Sequence, residues 1–221
     1  MPVENSRISV PGAGEVSALL LRPPNARWML ALAHGAGAGM SHPFMEALAK
    51  ELAHAGVATL RYQFPYMERR RGAPDSPSVS TATVAAAVQV ARDVGPDLPM
   101  LAGGKSFGGR MTSTAAAEGK LEDGIRGLVF FGFPLHPPKK PATKRADHLE
   151  KVKLPMLFLQ GTRDELADLT LLSPICEKLG ARATLHVIAS ADHSFHVLKK
   201  SGKTDEAVLR ELAETTAAWA K

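Results

Sequence analysis

Leu101-Ala102-Gly103-Gly104-Lys105-Ser106-Phe107-Gly108-Gly109 passes from an apolar run, through a glycine-rich turn, into a segment with helical spacing. A strand that turns this abruptly into a helix must let the two elements cross closely, which requires small residues two before and two after the centre of the turn. Gly104 and Gly108 occupy those places around Ser106, so the turn lifts the serine oxygen above the end of its strand. Residues 99–103 read as a short central strand, and the following helix is expected to start at the serine.

Working outward, short apolar runs alternate with longer helix-like segments. Residues 7–10 and 16–21 read as strands, joined by Pro11-Gly12-Ala13-Gly14, a connection short enough for an antiparallel hairpin. Trp28–Ala33 is almost continuously apolar and ends at His34-Gly35, as expected of a strand buried on both faces. Ser41 is the expected cap of a helix with Phe44, Leu48 and Leu52 at helical spacing, stopping near Gly56. Val57–Tyr62 is the next strand. A Pro- and Arg-rich loop over residues 63–77 then leads to an Ala- and Val-rich helix starting at Ser78 or Ser80 and running to about Asp93.

Downstream, residues 127–132, 155–160 and 183–188 read as strands. Between them lie a Pro- and Lys-rich connection, 133–153, and a short helix, 173–179, that Gly180 stops. Residues 204–220 form an amphipathic helix with Val208, Leu212 and Trp219 toward the core. This alternation specifies the α/β class, with a mostly parallel sheet flanked by helices on both faces. Without an internal repeat or a long linker, residues 1–221 are expected to form one domain.

An apolar content of 45% and a charged content of 22% describe a chain able to bury a sizeable core. No stretch approaches the roughly 20 apolar residues of a membrane span, and Met1 to Arg7 lacks a basic-then-apolar signal, so the expectation is a cytoplasmic protein without a membrane partner. Cys176 is the single cysteine and forms no internal disulfide. The net charge of +5 gathers at Arg69-Arg70-Arg71, Lys139-Lys140 with Lys144-Arg145, and Lys199-Lys200 with Lys203. No aromatic residues interleave with these clusters as stacking platforms, so nucleic acid is not the expected partner. The pattern specifies no oligomeric state.

Gly104-Lys105-Ser106 also matches the end of a phosphate-binding loop, but that loop needs a glycine where this chain has Pro99. Gly35-Ala36-Gly37-Ala38-Gly39-Met40 follows a strand as a dinucleotide loop does, yet Met40 replaces the third small residue and the next strand ends in Tyr62 rather than an acid. His34-Gly35-Ala36-Gly37 has a better use. Backbone N–H groups of Ala36 and Phe107 can hold the oxyanion formed when Ser106 attacks a carbonyl.

A serine hydroxyl needs a base, and the base needs an acid to fix its tautomer. Residues 157–164 read as a strand running into a loop that ends at Asp164, and Ala191-Asp192-His193-Ser194-Phe195 follows the last strand. Ser, Asp, His in that chain order differs from the orders found in other serine-triad folds. Glu165 and Asp168 are alternative acids, His196 an alternative base, and Asp192 reads as a turn residue. His42, His54, His148 and His186 read as surface or helix residues, and His34 as packing within the oxyanion loop. His193 and His196 lack a third metal ligand, so neither a metal nor another cofactor is expected.

The segments His34 to Gly37, Gly104 to Arg110, Gly161 to Asp164 and Ala191 to Phe195 together resemble the α/β-hydrolase superfamily over nearly the whole chain. They look most like its small, lidless, dienelactone-hydrolase-like and testis-expressed-protein-like members. The resemblance implies an eight-stranded, mainly parallel sheet, with Ser106 as nucleophile, His193 as base and Asp164 as orienting acid. It also implies a small-molecule acyl substrate, an ester or thioester. Dienelactone hydrolases proper use a cysteine nucleophile where this chain has Ser106, and some related domains serve in protein interaction, which keeps a noncatalytic module as the alternative. Large caps in such proteins are inserted where residues 133–153 lie; this connection is too short to be one, so an open site is expected, with His34, Gly35, Lys105, Phe133, Pro134 and Leu135 as pocket candidates. Lys105, Arg110 and Arg69 to Arg71 would favour anionic substrates if they faced it.

Overall fold

The computed structural model describes residues 1–121 and 124–220. Its strands are β1 (Glu4–Val10), β2 (Gly14–Leu21), β3 (Trp28–Ala33), β4 (Val57–Tyr62), β5 (Met100–Lys105), β6 (Ile125–Phe131), β7 (Met156–Gly161) and β8 (Ala183–Ile188). The helices are α1 (Pro43–His54), α2 (Pro65–Glu68), α3 (Pro77–Val94), α4 (Phe107–Ala117), α5 (Leu169–Leu179) and α6 (Asp205–Trp219). The strands form one eight-stranded sheet in the order β1-β2-β4-β3-β5-β6-β7-β8. β1 pairs with β2 and β2 with β4 antiparallel; the strands from β4 onward run parallel.

Side chains alternate across each central strand, which divides the core in two. Met29 and Ala31 of β3, Phe130 of β6 and Phe158 of β7 pack with Val84 and Val88 of α3, Met111 of α4 and Leu172 of α5. Their neighbours Leu30, Leu32, Val129 and Leu157 face the other way, onto Leu48 and Leu52 of α1 and Val208 and Leu212 of α6. A strand covered on both faces has no polar side to show. β3, β5 and β7 are accordingly apolar or small at nearly every position. No helix among the described residues is long and apolar enough to cross a membrane.

Several boundaries differ from the sequence expectation. α1 is capped by His42 rather than Ser41, since His42 Nδ1 accepts the Phe44 N–H. α3 begins two residues before Ser78 would allow as a cap, because the Ser76 hydroxyl accepts the Val79 N–H and Pro77 fits the first helical position. The 63–77 loop contains α2, started by Pro65. α5 begins at Leu169, where Asp168 Oδ1 accepts the Thr170 N–H, and it runs through Pro174. The 133–153 connection contains a 3₁₀ stretch, Lys144–Lys151, and adds no cap domain.

The chain leaves β3 to form β4 on one side and returns to form β5 on the other. This reversal opens a crevice at the carboxyl ends of β3 and β5, the usual place for a ligand in an open α/β sheet. His34 and Ser106 are the first residues past those two ends.

Candidate active site

Ser106 links β5 to α4 with φ 49° and ψ −114°, a left-handed conformation that costs a non-glycine residue on the order of 1–3 kcal/mol. The crossing around it is as tight as the glycine pattern requires. A Cβ at Gly104 would lie 2.5 Å from the Ala33 carbonyl oxygen, and one at Gly108 2.5 Å from that of His34. The Ser106 N–H donates to the Phe131 carbonyl at 3.1 Å, tying the turn to β6.

His193 follows β8 on a loop built around Asp192. The Asp192 carboxylate Oδ1 accepts the N–H groups of Ser194 (2.8 Å) and His196 (3.0 Å), which makes it the turn residue. The loop brings His193 Nε2 to 2.8 Å from Ser106 Oγ, and His193 Nδ1 to 2.7 Å from Asp164 Oδ2. Asp164 is almost wholly buried just past β7. Its Oδ1 accepts the Leu166 N–H at 2.8 Å, and its Oδ2 also accepts a hydrogen bond from Gln160 Nε2. Gln160 Oε1 in turn accepts the Phe133 N–H at 2.9 Å, so the glutamine's own position is fixed.

With Asp164 at Nδ1, the imidazole keeps its proton there and presents a lone pair at Nε2 to the serine hydroxyl. Burial holds His193 below the ordinary imidazole value, and the nearby Lys105 charge adds to that effect; the Asp164 hydrogen bond acts the other way. The ring is therefore neutral at neutral pH, the form that can take a proton.

The other acids and histidines lie elsewhere. Asp168 caps α5, Glu165 is exposed, and exposed His196 pairs with Asp205 at 2.6 Å. A second serine–histidine contact, Ser113 Oγ to His148 Nε2 at 2.7 Å, differs in every respect that matters chemically. Ser113 is fully buried in α4, and its single proton goes to the Arg110 carbonyl at 2.9 Å. The hydroxyl must then accept from His148 Nε2, the wrong tautomer for a base. His148, read as a surface or helix residue, lies in the 3₁₀ stretch and is half-buried.

His34 is fully buried rather than facing a substrate. Its Nε2 accepts the Phe64 N–H at 3.1 Å, so its Nδ1 carries the proton and donates to the Gly35 carbonyl at 2.7 Å. Burial pushes it down to about 4 and keeps it neutral. Because a trans peptide points its C=O and N–H in opposite directions, anchoring the Gly35 carbonyl inward turns the Ala36 N–H away from His34. Phe107 is the first residue of α4, and its N–H has no partner within the helix. Ala36 and Phe107 both border cavities that include Ser106.

The larger cavity, roughly 800 Å³, is lined by Gly35, Lys105 and Ser106 with Phe44, His193 and Phe195. Phe44 and Phe195 stack at 6.0 Å, 11° from parallel. Phe44 read as a core residue of α1 by its spacing; an aromatic two residues after the histidine was the signal for Phe195. Phe133 and Leu135, expected in the pocket, are fully buried. Gly132 turns the chain with φ 72°, and the Phe133 ring packs on Phe130 (5.3 Å) and Phe158 (5.7 Å). Pro134 lines only the second cavity.

Residues 26–221 match the family described as an alpha/beta hydrolase domain, and the chain belongs to it. Its fold is shared by a dienelactone hydrolase from Anabaena variabilis, with 23% identity, a TM-score of 0.73 and coverage of 99% of this chain and 96% of that one. An alpha-beta serine hydrolase homologue from Coxiella burnetii is 21% identical, with a TM-score of 0.76 and 96% of each chain covered. A serine hydrolase without a lid from Xanthomonas campestris is 20% identical, with a TM-score of 0.72, covering 98% of this chain and 96% of that one.

Proposed function

We propose that this protein is a serine hydrolase that cleaves a small ester or thioester through an acyl-enzyme intermediate. The observation that carries the reading is the unbroken hydrogen-bonded chain from Ser106 Oγ through both nitrogens of His193 to Asp164, with the serine facing an open cavity.

His193 Nε2 takes the hydroxyl proton as Ser106 Oγ bonds to the substrate carbonyl carbon, and the carbonyl oxygen becomes an oxyanion facing the Ala36 and Phe107 N–H groups. As the oxyanion collapses, the bond to the leaving group breaks and His193 passes its proton to the departing oxygen or sulfur. Water then gives a proton to His193 and its oxygen to the acyl carbon; collapse breaks the bond to Ser106, whose Oγ takes the proton back from His193 as the acid is released. Asp164 holds the ring and offsets the imidazolium charge without taking the proton. The protein's own groups thus supply nucleophile, base and oxyanion donors.

Labelling with a neutral fluorophosphonate serine probe, wild type beside Ser106→Ala, tests this. An adduct on the wild type alone, with hydrolysis of short-chain esters or thioesters that Ser106→Ala lacks, is the expected result. No Ser106-dependent adduct and no turnover across that panel would leave the scaffold as a noncatalytic interaction module.

A further inference from the structure

Two cavities meet at Ser106, and they differ in chemistry. The larger is walled by Phe44, Phe195 and His193. The second, roughly 410 Å³, lies on the other side of the serine and is lined by Phe107, Arg110, Met111, Pro134 and Arg145. Both guanidinium groups come from elements that the fold brings together: Arg110 from the first turn of α4, Arg145 from the 3₁₀ stretch packed against it.

Among the described residues, no carboxylate pairs with either arginine. Arg110 is half-buried, with its guanidinium 5.7 Å from the centre of the Phe107 ring, and its Nε is buried without a hydrogen-bond partner. Burial and the facing charge of Arg145 both disfavour its cation. Neighbouring His148 adds no charge: burial, then Arg110, pushes it down to about 4. Asp75 is the acid on this wall, and its Oδ2 is engaged by the Tyr66 N–H at 2.7 Å. Two like charges converging on one cavity form an unfavourable arrangement that a carboxylate between them would relieve.

The position of His193 says which half of a substrate lies there. His193 lines the larger cavity and not the basic one. The leaving group must receive its proton from His193, so it occupies the larger cavity, and the acyl chain extends past Phe107 toward the arginines.

We infer that Arg110 and Arg145 form a carboxylate subsite, and that the acyl group is that of a dicarboxylic acid, one carboxyl esterified and transferred to Ser106, the other free between the two guanidinium groups. This rests on the serine hydrolase reading above and extends it to a substrate class.

The test compares aryl monoesters of succinic, glutaric and adipic acid with the same esters capped as neutral methyl esters at the far carboxyl. The readout is the ratio of kcat/KM for aryl-ester cleavage, free acid over capped. In the wild type the ratio should exceed one for at least one chain length by about tenfold, the worth of a charged hydrogen bond. Arg110→Gln and Arg145→Gln should each bring it down toward one, mainly through KM, and Arg110→Lys should restore part of it, which loss of packing alone would not allow. Arg145 lies in the 3₁₀ stretch outside the helix that follows Ser106, so its variant serves if Arg110→Gln fails to fold. A wild-type ratio near one at every length overturns the inference, as does a high ratio that survives both substitutions. Failure of the hydrolase reading looks different: neither ester is cleaved, and the fluorophosphonate probe leaves no Ser106-dependent adduct.

Discussion

Lys105 Nζ donates to the backbone carbonyl of His193 at 2.5 Å, joining the residue before the candidate nucleophile to its candidate base. The ammonium lies 5.3 Å from the centre of the Phe195 ring and 5.9 Å from that of Phe44, and its side chain is almost fully buried. Lys105 thus ties β5 to the His193 loop, and its charge reaches the imidazole.

Lys105→Met should therefore move the acid limb of kcat/KM to higher pH. Burial and the Lys105 cation both hold His193 below its ordinary value, and removing the cation lifts one of these effects. In the wild type the limb should fall below pH 6.5, because activity requires the neutral ring. A pH–rate profile of both proteins on a neutral ester checks this, and an unmoved or downward-shifted limb contradicts it.

The same lysine makes a stability prediction of definite sign. Burial pushes it down to about 8 from 10.5, with Asp164 and Asp192 opposing the shift. Between those two values the unfolded chain holds more protons at this site than the folded one, so stability rises with pH there. Urea unfolding at pH 7.5 and 10 should show wild type gaining on Lys105→Met as pH increases. A gap that widens against wild type would contradict the assignment.

Asp164→Asn should lower kcat by about 10³–10⁴ with little change in KM, since the amide cannot stabilise the imidazolium. Gln160→Leu should cost less, roughly tenfold, because it frees Asp164 of one donor but leaves the Leu166 N–H and His193 in place. Steady-state kinetics on one activated ester compares them. Equal losses in the two variants would mean that Gln160 has a role beyond holding the carboxylate.

Much of this arrangement was legible in the chain, for identifiable reasons. Trp28–Ala33, Val57–Tyr62 and Ala183–Ile188 are bounded by clear turn and helix signals, and the observed strands have those limits. Ser106, Asp164 and His193 stand one or a few residues past strand ends, where sheet geometry brings distant segments to one edge. What was hidden depends on packing. Which way Phe133 turns is decided by Gly132 and the Phe130 and Phe158 rings, and a proline-rich loop looks the same whether it lines a pocket or fills a core. Arg110 could have faced either way until the pitch of α4 was known. A lone glutamine in the apolar run of β7, four residues before Asp164, was a readable sign of a buried polar contact.

The strain at Ser106 gives the sharpest contrast between stability and activity. Glycine adopts φ 49° freely, so Ser106→Gly should abolish turnover and probe labelling while raising stability by about 1 kcal/mol, part of the strain being offset by glycine's greater unfolded freedom. Gly104→Ala changes the same turn the other way. Its Cβ would meet the Ala33 carbonyl oxygen at 2.5 Å and the Ala33 Cβ at 2.8 Å, both held within the sheet, so the strand and α4 must separate at a cost of roughly 1–3 kcal/mol or more. Urea unfolding with fluorophosphonate labelling measures both effects. A Ser106→Gly protein less stable than wild type would mean that the serine side chain contributes more through its bond to His193 than its backbone loses, and that the turn is not a store of strain.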